Sequence, residues 1–421
     1  MRPRRRTAPI IERVTDLDTR TAPPRPGSRY TGALHRAVPA LAAYAAVRAL
    51  GLVVLSLWSA ARGSSPHTLL SARWDSLWYT RVASLGYGYE IRLPNGDVHS
   101  DLAFFPLLPW LERLGATLTP LSYADTGLLV SALASLAAAW GIFSVVDHVY
   151  GTEEGPQALR GEGAGHGRTG VYAVVLWAAL PVGIVQSMAY SESLFTALAA
   201  WSLYAVLTRR WVTAGVLASL AGLTRPVGLA VVAAVWAAAL VSWVRERRAL
   251  PAAGAPWPRR ALGMLLAPLG AAGYVLWVGR RTGGGPLGYL DVQAGWRNGF
   301  DGGLAFARFI ADKFTSPPSA AAGVGLILGV ALLLWLYMVC VRQGQPLPLL
   351  VYAGVVTALA LCASSYFGSK PRLLLPAFPL LLPLARTLSR ARPPRAAAVL
   401  GGVAVASAVY GAFWLNGSGP P

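Results

Sequence analysis

The stretch "WVTAGVLASLAGLTRPVGLAVVAAVWAAALVSWV", residues 211–244, has one charged side chain in thirty-four, Arg225, followed at once by Pro226. A hydrocarbon core of roughly 30 Å is crossed by about twenty helical residues. The stretch therefore holds two spans, 211–224 and 227–244, or one bent helix broken at Pro226. Either way lipid is its solvent. An arginine at mid-bilayer costs roughly 2.5 to 3.5 kcal/mol on insertion scales unless it is solvated or paired, so Arg225 has to face the protein interior. Arg48, within the run 38–60, carries the same penalty, and a structural ion pair and a substrate role are both open for it.

The pattern recurs on both sides. Hydrophobic residues make up 55% of the 421 and charged residues 13%, with mean hydropathy +0.48, which exceeds what a soluble core of this size needs. Further apolar runs lie at 38–60, 123–147, 170–188, 191–207, 261–279, 321–341, 347–364, 372–386 and 396–415. The expected fold class is an all-α polytopic membrane protein of about eleven transmembrane helices, with interfacial helices in its first outer loop. The net charge of +19 is spread in short groups between apolar runs and forms no aromatic-interleaved basic face, so no nucleic acid is expected as a partner. Cys340 and Cys362 sit in apolar runs without CxxC spacing and read as packing residues.

Basic groups in short loops set the orientation. "RPRRR" at 2–6, "TRR" at 208–210, "RERR" at 245–248, "PRR" at 258–260 and "RTLSRARPPR" at 386–395 fall on one side, expected to be cytoplasmic. That leaves 61–122, the turn near 187–191, Thr224-Arg225-Pro226, 280–320 and 364–370 outside. The domain reading is a disordered basic cytoplasmic tail at 1–37 and a single membrane domain at 38–416. Within that domain lie an extracytoplasmic loop at 61–122, a cytoplasmic insert at 151–168 and an extracytoplasmic loop at 280–320, and a tail follows at 417–421. The first thirty residues hold no uninterrupted apolar core, so no cleavable signal is expected, and the location is a plasma membrane.

Polar residues punctuate the outer boundaries where lipid requires none. Asp75 lies between Trp74 and Ser76 in "ARWDSLWYTRVASLGYGYE", residues 72–90, and reads as a helix N-cap, as a catalytic acid, or as both. Glu90 and Asp101 are reserve acids on the same loop. Tyr190 and Glu192 stand in "AYSESLF", Arg225 in "GLTRPVG", Gln293 and Trp296 in "DVQAGWRNG", and Lys370 and Arg372 in "YFGSKPRLLLPAFP". One carboxylate among several cations suits an anionic lipid and a hydroxyl substrate: the acid takes the hydroxyl proton, and the cations stabilise a departing phosphate. Lys370 and Arg372 also read as side chains snorkelling to headgroups, Glu192 as a sugar-hydroxyl acceptor or a cap, and Trp296 as a sugar-stacking or an interfacial ring. The five histidines, at 35, 67, 99, 148 and 166, are isolated from one another, and no metal cluster is indicated. A divalent cation between Asp75 and lipid phosphates needs few protein ligands and stays open.

In order along the chain, Trp74-Asp75, Gly86-Tyr87, "LAFFPLLP" at 102–109, "YSESLF" at 190–195, "LAGLTRPVGL" at 220–229, "VQAGW" at 292–296 and "KPRLLLPAFPL" at 370–380 together resemble the PIG-V family of mannosyltransferases, of the GT-C class of membrane glycosyltransferases. The resemblance implies a GT-C type bundle that transfers mannose, with inversion, from a polyprenyl-phosphate-mannose donor to a glycolipid or lipid-linked glycan acceptor on the extracytoplasmic side. It implies Asp75 as general base, Arg225, Lys370 and Arg372 toward the donor phosphate, and Trp74, Tyr190, Glu192, Gln293 and Trp296 toward substrate. The chain departs from the family pattern at Ala189 and at Ser76 to Trp78, which bears on the acceptor. A GT-C transferase for another sugar is one alternative. A lipid or polyisoprenoid transporter is the other, though it would need polar residues on both faces and a route between them.

Overall fold

The structure is a computed structural model describing residues 29–158, 167–248, 257–364, 366–417 and 419. Most of the tail expected at 1–37, the middle of the insert expected at 151–168 (with His166) and most of 417–421 lie outside the described residues.

The first element among the described residues is α1 (Arg29–Ala61). The loop at 61–122 then carries α2 (Pro66–Ser71), α3 (Asp75–Leu85), a hairpin of β1 (Glu90–Arg92) and β2 (Val98–Ser100), and α4 (Leu107–Leu118). Next come α5 (Tyr123–Ala158), α6 (Arg168–Ala178), α7 (Glu192–Leu207), α8 (Trp211–Gly222), α9 (Leu229–Arg248), α10 (Trp257–Leu266) and α11 (Leu269–Thr282). A second loop holds α12 (Gly288–Gly295), β3 (Gly299–Phe300) and α13 (Leu304–Asp312). The chain closes with α14 (Pro317–Arg342), α15 (Leu347–Cys362), β4 (Ala363–Ser364), α16 (Lys370–Leu373), α17 (Leu382–Arg390) and α18 (Pro393–Leu415).

This is an all-α, multi-pass membrane architecture. Six segments among the described residues are long and apolar enough to cross a bilayer: Leu34–Ala61, Tyr123–Gly151, Pro226–Arg248, Trp257–Thr282, Pro317–Arg342 and Pro393–Leu415. Three shorter apolar helices, α7, α8 and α15, correspond to the expected spans 191–207, 211–224 and 347–364. The stretch 211–244 is two helices, α8 and α9, parted by Leu223 to Arg225 and a 3-10 turn at Pro226–Gly228.

Three expectations need correction. Residues 29–37 form the start of α1 and are not tail, because its helical pattern runs on upstream of Val38 and tolerates Pro39. On the near side of the insert, α5 continues to Ala158. The runs 170–188 and 372–386 are not continuous helices: α6 stops at Ala178, ahead of Pro181, and prolines at 376, 379 and 383 break the other into short turns.

Non-helical backbone at membrane depth is stable only where its polar groups are met by protein. Here they are. Arg48 donates to the carbonyls of Ala178 and Gly183, so its partners are carbonyls where a carboxylate was one option. Ser407 Oγ donates to Leu180 O at 2.6 Å, and Gln186 Nε2 to Trp177 O at 2.8 Å. In the second break, Trp177 Nε1 reaches Leu375 O at 3.1 Å, Tyr352 OH reaches Pro376 O at 3.0 Å, and Gln345 Nε2 reaches Pro379 O at 3.3 Å. Trp177, fully buried and stacked on Tyr44 at 5.5 Å, thus ties both broken segments to α1.

Ion pairs and ring contacts sort the loops into two ends. Arg36 with Asp147, Arg260 with Glu246, and the Arg386 guanidinium over the Tyr150 ring mark one end. The other end gathers the loops at 61–122 and 280–320. There β3 pairs with β4, and Arg73 donates from Nη1 to Leu415 O at 2.7 Å and from Nη2 to Gly417 O at 3.1 Å. In the first loop the hairpin, which the sequence reading omitted, turns through Asn95-Gly96, where Gly96 has φ +88°.

Candidate active site

Four charged side chains from four segments meet at the loop-rich end. Arg372, on α16, sets Nη1 2.8 Å from Asp75 Oδ2 and Nε 3.2 Å from Glu192 Oε1. Arg225, in the α8–α9 break, pairs with the same Glu192 oxygen and donates to Ser191 Oγ at 3.3 Å. The side chain of Glu192 is 1% exposed, that of Arg372 10% and that of Asp75 24%, so Asp75 forms the open edge of the cluster. Both acids lie in the first turn of a helix, α3 and α7, where the helix dipole favours a carboxylate.

Local backbone explains how each is presented. Trp74 has φ +53° and ψ −120°, a conformation at home only for glycine, costing about 1 to 3 kcal/mol in a residue with a side chain. The turn is held by Ser76 Oγ, which accepts from Arg73 N at 2.9 Å and donates to Arg73 O at 2.6 Å, and by the Arg73 guanidinium 4.0 Å from the Trp74 ring centroid. Asp75 is therefore not the N-cap. Trp74 occupies that position, Ser76 does the local hydrogen bonding, and the Asp75 carboxylate is left for Arg372. Tyr190 joins the two halves: its hydroxyl accepts from Asp75 N at 3.4 Å, and its ring lies 5.1 Å below the Arg372 guanidinium.

Tyr79 was missed in the sequence. It lies one turn after Asp75 on the same face of α3, and its hydroxyl is 2.8 Å from Ser191 Oγ. The i, i+4 spacing was the signal available.

Several predicted site residues take other roles than those expected. Lys370 Nζ donates to Ala360 O at 2.7 Å and Ala363 O at 2.8 Å and lies 4.6 Å from the Phe306 ring centroid, so it caps the end of α15 and is not beside Arg225 and Arg372. Glu192 faces the two guanidiniums, not open space as a sugar-hydroxyl acceptor would. Gln293 donates to Tyr289 OH at 2.5 Å and accepts from Asn298 at 2.9 Å. Trp296 donates to Ser100 O at 3.0 Å and stacks on His99 at 4.0 Å, within an aromatic group of Trp78, Tyr89 and Phe104 that reaches the site through α3. Asp101 accepts from Gly88 N at 3.1 Å and Tyr89 N at 2.9 Å and is fully buried, and burial holds its carboxyl above the usual range. Glu90 is exposed on β1.

The segment "LAFFPLLP" forms a wall. Tyr87 OH and Tyr274 OH both donate to Phe104 O, at 2.7 and 2.8 Å, and Leu107 N donates to Leu223 O at 3.0 Å, beside the Arg225 break. A cavity of about 510 Å³ lies along this wall, lined by Tyr87, Pro106, Trp110, Leu223, Tyr274 and Trp277 among others. The exposed face of α4, with Trp110, Leu114 and Leu118 one turn apart, suits a membrane interface.

On the opposite face of α4, Glu112 is fully buried against Gly127, and neither carboxylate oxygen has a hydrogen-bond partner among the described residues. Burial pushes its carboxyl from the usual 4.5 up to about 9. The folded state thus favours the protonated form. The resulting stabilisation is complete below about 4.5, declines by about 1.4 kcal/mol per pH unit above it, and is gone by about 9. Glu112→Gln keeps the shape and removes the titration, so its melting temperature between pH 6 and 8.5 is expected to vary less than that of the wild type. Parallel melting curves would assign the pH dependence to other groups.

Among the described residues, no group of three or more His, Cys, Asp or Glu side chains could hold a metal ion. The sequence matches no protein-family model and no curated protein. Among solved structures, the chain is similar to ArnT from Cupriavidus metallidurans in the apo state, with 17% identity, TM-score 0.47, and 77% of this chain and 56% of that one covered. For ArnT bound to undecaprenyl phosphate the values are 16%, 0.48, 85% and 61%. It is also similar to the archaeal oligosaccharyltransferase AglB from Archaeoglobus fulgidus, in complex with an inhibitory peptide and a dolichol-phosphate, with 12% identity, TM-score 0.43, and 90% and 56% covered. The chain thus spans 56 to 61% of the length of the solved structures it resembles.

Proposed function

We propose that this chain is a membrane glycosyltransferase of the GT-C class that moves a sugar, mannose on the motif resemblance, from a polyprenyl-phosphate donor to a hydroxyl of a glycolipid or lipid-linked glycan on the extracytoplasmic face. The observation that carries the reading is the cluster of Asp75, Arg372, Glu192 and Arg225, together with an apolar cavity whose lining includes Leu223, two residues before Arg225. Apolar walls suit an isoprenoid chain, paired guanidiniums suit its phosphate, and Asp75 at the open edge suits an incoming hydroxyl.

The acceptor oxygen attacks the anomeric carbon from the side opposite the phosphate, and its proton passes to Asp75. The sugar–phosphate bond breaks, its electron pair leaves with the polyprenyl phosphate, and the anomeric configuration inverts. Arg225 and Arg372 meet the phosphate charge in a largely buried setting, where preorganised cations act strongly. Trp74 and Tyr190 frame Asp75, and the Trp78–Phe104–Trp296 group borders the acceptor side.

A divalent ion prefers six or more oxygen ligands. The site does not favour one even with Asp75 released, because two guanidiniums already set positive charge there and the second acid is buried beneath them. Activity is therefore expected to survive chelation.

The test is incubation of purified protein with radiolabelled polyprenyl-phosphate-mannose and a total lipid extract, with and without EDTA. Labelled lipid product is expected in both, and Arg225→Ala should weaken use of the donor, with Arg225→Lys restoring part of it. Failure to transfer from any polyprenyl-phosphate sugar would sink the reading. Sidedness is tested separately: a cysteine at residue 97 is expected to react with an impermeant reagent added outside intact cells, and labelling only after access to the cytoplasmic side would reverse the orientation.

A further inference from the structure

The charged cluster is close in distance but poor in hydrogen bonds. Arg372 lies within 2.8 Å of Asp75 and 3.2 Å of Glu192, yet its buried Nε and Nη1, and both Glu192 oxygens, lack a hydrogen-bond partner of proper geometry among the described residues. Buried guanidinium donors held near carboxylates without alignment retain much of their bonding capacity. The charge count decides which carboxylate is given up, the less buried one, Asp75. Two carboxylates and two guanidiniums balance, so a phosphate brings an extra negative charge into a site that is mostly buried, and burying an unmatched charge is costly.

Resting on the donor reading above, we propose that Arg372 changes partner: it holds Asp75 in the absence of donor, turns to the donor phosphate when that binds, and thereby releases Asp75 Oδ2 to take the acceptor proton. Glu192 stays with Arg225 and keeps the second cation in place. The Tyr190 ring, 5.1 Å from the guanidinium, is a surface over which the planar group can move without losing its cation–π contact. A hydroxyl that arrives before the donor meets an acid already engaged, so the donor arms the base and wasteful chemistry on a lone acceptor or on water is suppressed.

The test reads the chemical reactivity of Asp75. At mildly acidic pH, a water-soluble carbodiimide with an amine nucleophile modifies carboxyl groups, and a carboxylate paired with a guanidinium reacts slowly. The tryptic peptide "WDSLWYTR", residues 74–81, has Asp75 as its only acid, so mass spectrometry reads that site alone. Adding undecaprenyl phosphate, without sugar, to the wild-type protein is expected to raise Asp75 labelling by about fivefold or more, the low end of ordinary site-to-site coupling. Arg372→Met is expected to label rapidly without the lipid and to show no further rise, its fold being checked by its melting curve. The wild-type arm stands if that variant does not fold. Retention of the lipid by the wild type with labelling unchanged or lowered overturns the exchange and leaves the donor reading intact. No retention of the lipid overturns both.

Discussion

Asp75→Asn is expected to lower turnover by about two orders of magnitude or more while the protein stays folded and still retains the polyprenyl-phosphate donor, because removal of a positioned general base typically costs 10² to 10⁴ in rate. The substitution is nearly isosteric, and Asp75 makes no capping bond that asparagine would have to replace. What it removes besides the base is an ion pair with Arg372. The side chain of Asp75 is 24% exposed, so that pair contributes modestly to stability. Initial rates and melting curves on the same preparation separate the two roles. A variant with full activity and a lowered melting temperature would make Asp75 a structural partner of Arg372. The base would then have to be sought at Glu192, since Asp101 is committed to the Gly88 and Tyr89 amides and Glu90 points from an exposed strand.

The largest loss of stability is expected at Glu192. Its carboxylate is the shared counter-charge for Arg225 and Arg372, and Glu192→Ala leaves two largely buried guanidiniums without it. Breaking a buried pair by removing one partner costs about 3 to 5 kcal/mol, mostly the penalty of the charge left behind. The double variant Glu192→Ala, Arg225→Met removes one orphaned cation together with its partner, so it is expected to melt above the single Glu192→Ala variant. That non-additivity is the signature of direct coupling. Additive losses would mean that Arg225 draws its compensation from elsewhere, and Ser191 would be the next group to test.

The spans and the break at Thr224 to Pro226 were legible because lipid imposes a one-dimensional rule: an apolar run of sufficient length must be helix, and a proline beside an arginine must interrupt it. The same rule misled at 170–188 and 372–386. Hydropathy reports the solvent of a segment but not its backbone, and these runs are apolar because they are buried in protein, which also supplies partners for their carbonyls. Arg225 was legible as an interior cation, whereas Arg372 read equally as a phosphate ligand and as a side chain snorkelling to headgroups, and Asp75 both as a cap and as a catalytic acid. Their assembly around Glu192 was not legible, because which charges meet is set by three-dimensional packing. Lys370 shows the limit plainly. It has the same residue class and the same motif as Arg372, two positions away, yet it points to the carbonyl end of α15. Glu112 lies in the loop at 61–122, read only as carrying interfacial helices, and nothing in its spacing distinguished a buried acid from an exposed one.

The fastening of Arg73 to Leu415 has a consequence for biosynthesis. The two residues are 342 positions apart in sequence, and Arg73 sits at the base of the strained turn that presents Asp75. At roughly 5 to 20 residues per second of synthesis, about 20 to 70 seconds pass between the two leaving the ribosome. During that interval the loop at 61–122 has been made while its anchor has not. The turn at Trp74 therefore spends that interval without its tie, and the placing of Asp75 is completed late and all at once, when the end of α18 is made and the Leu415 carbonyl closes on Arg73.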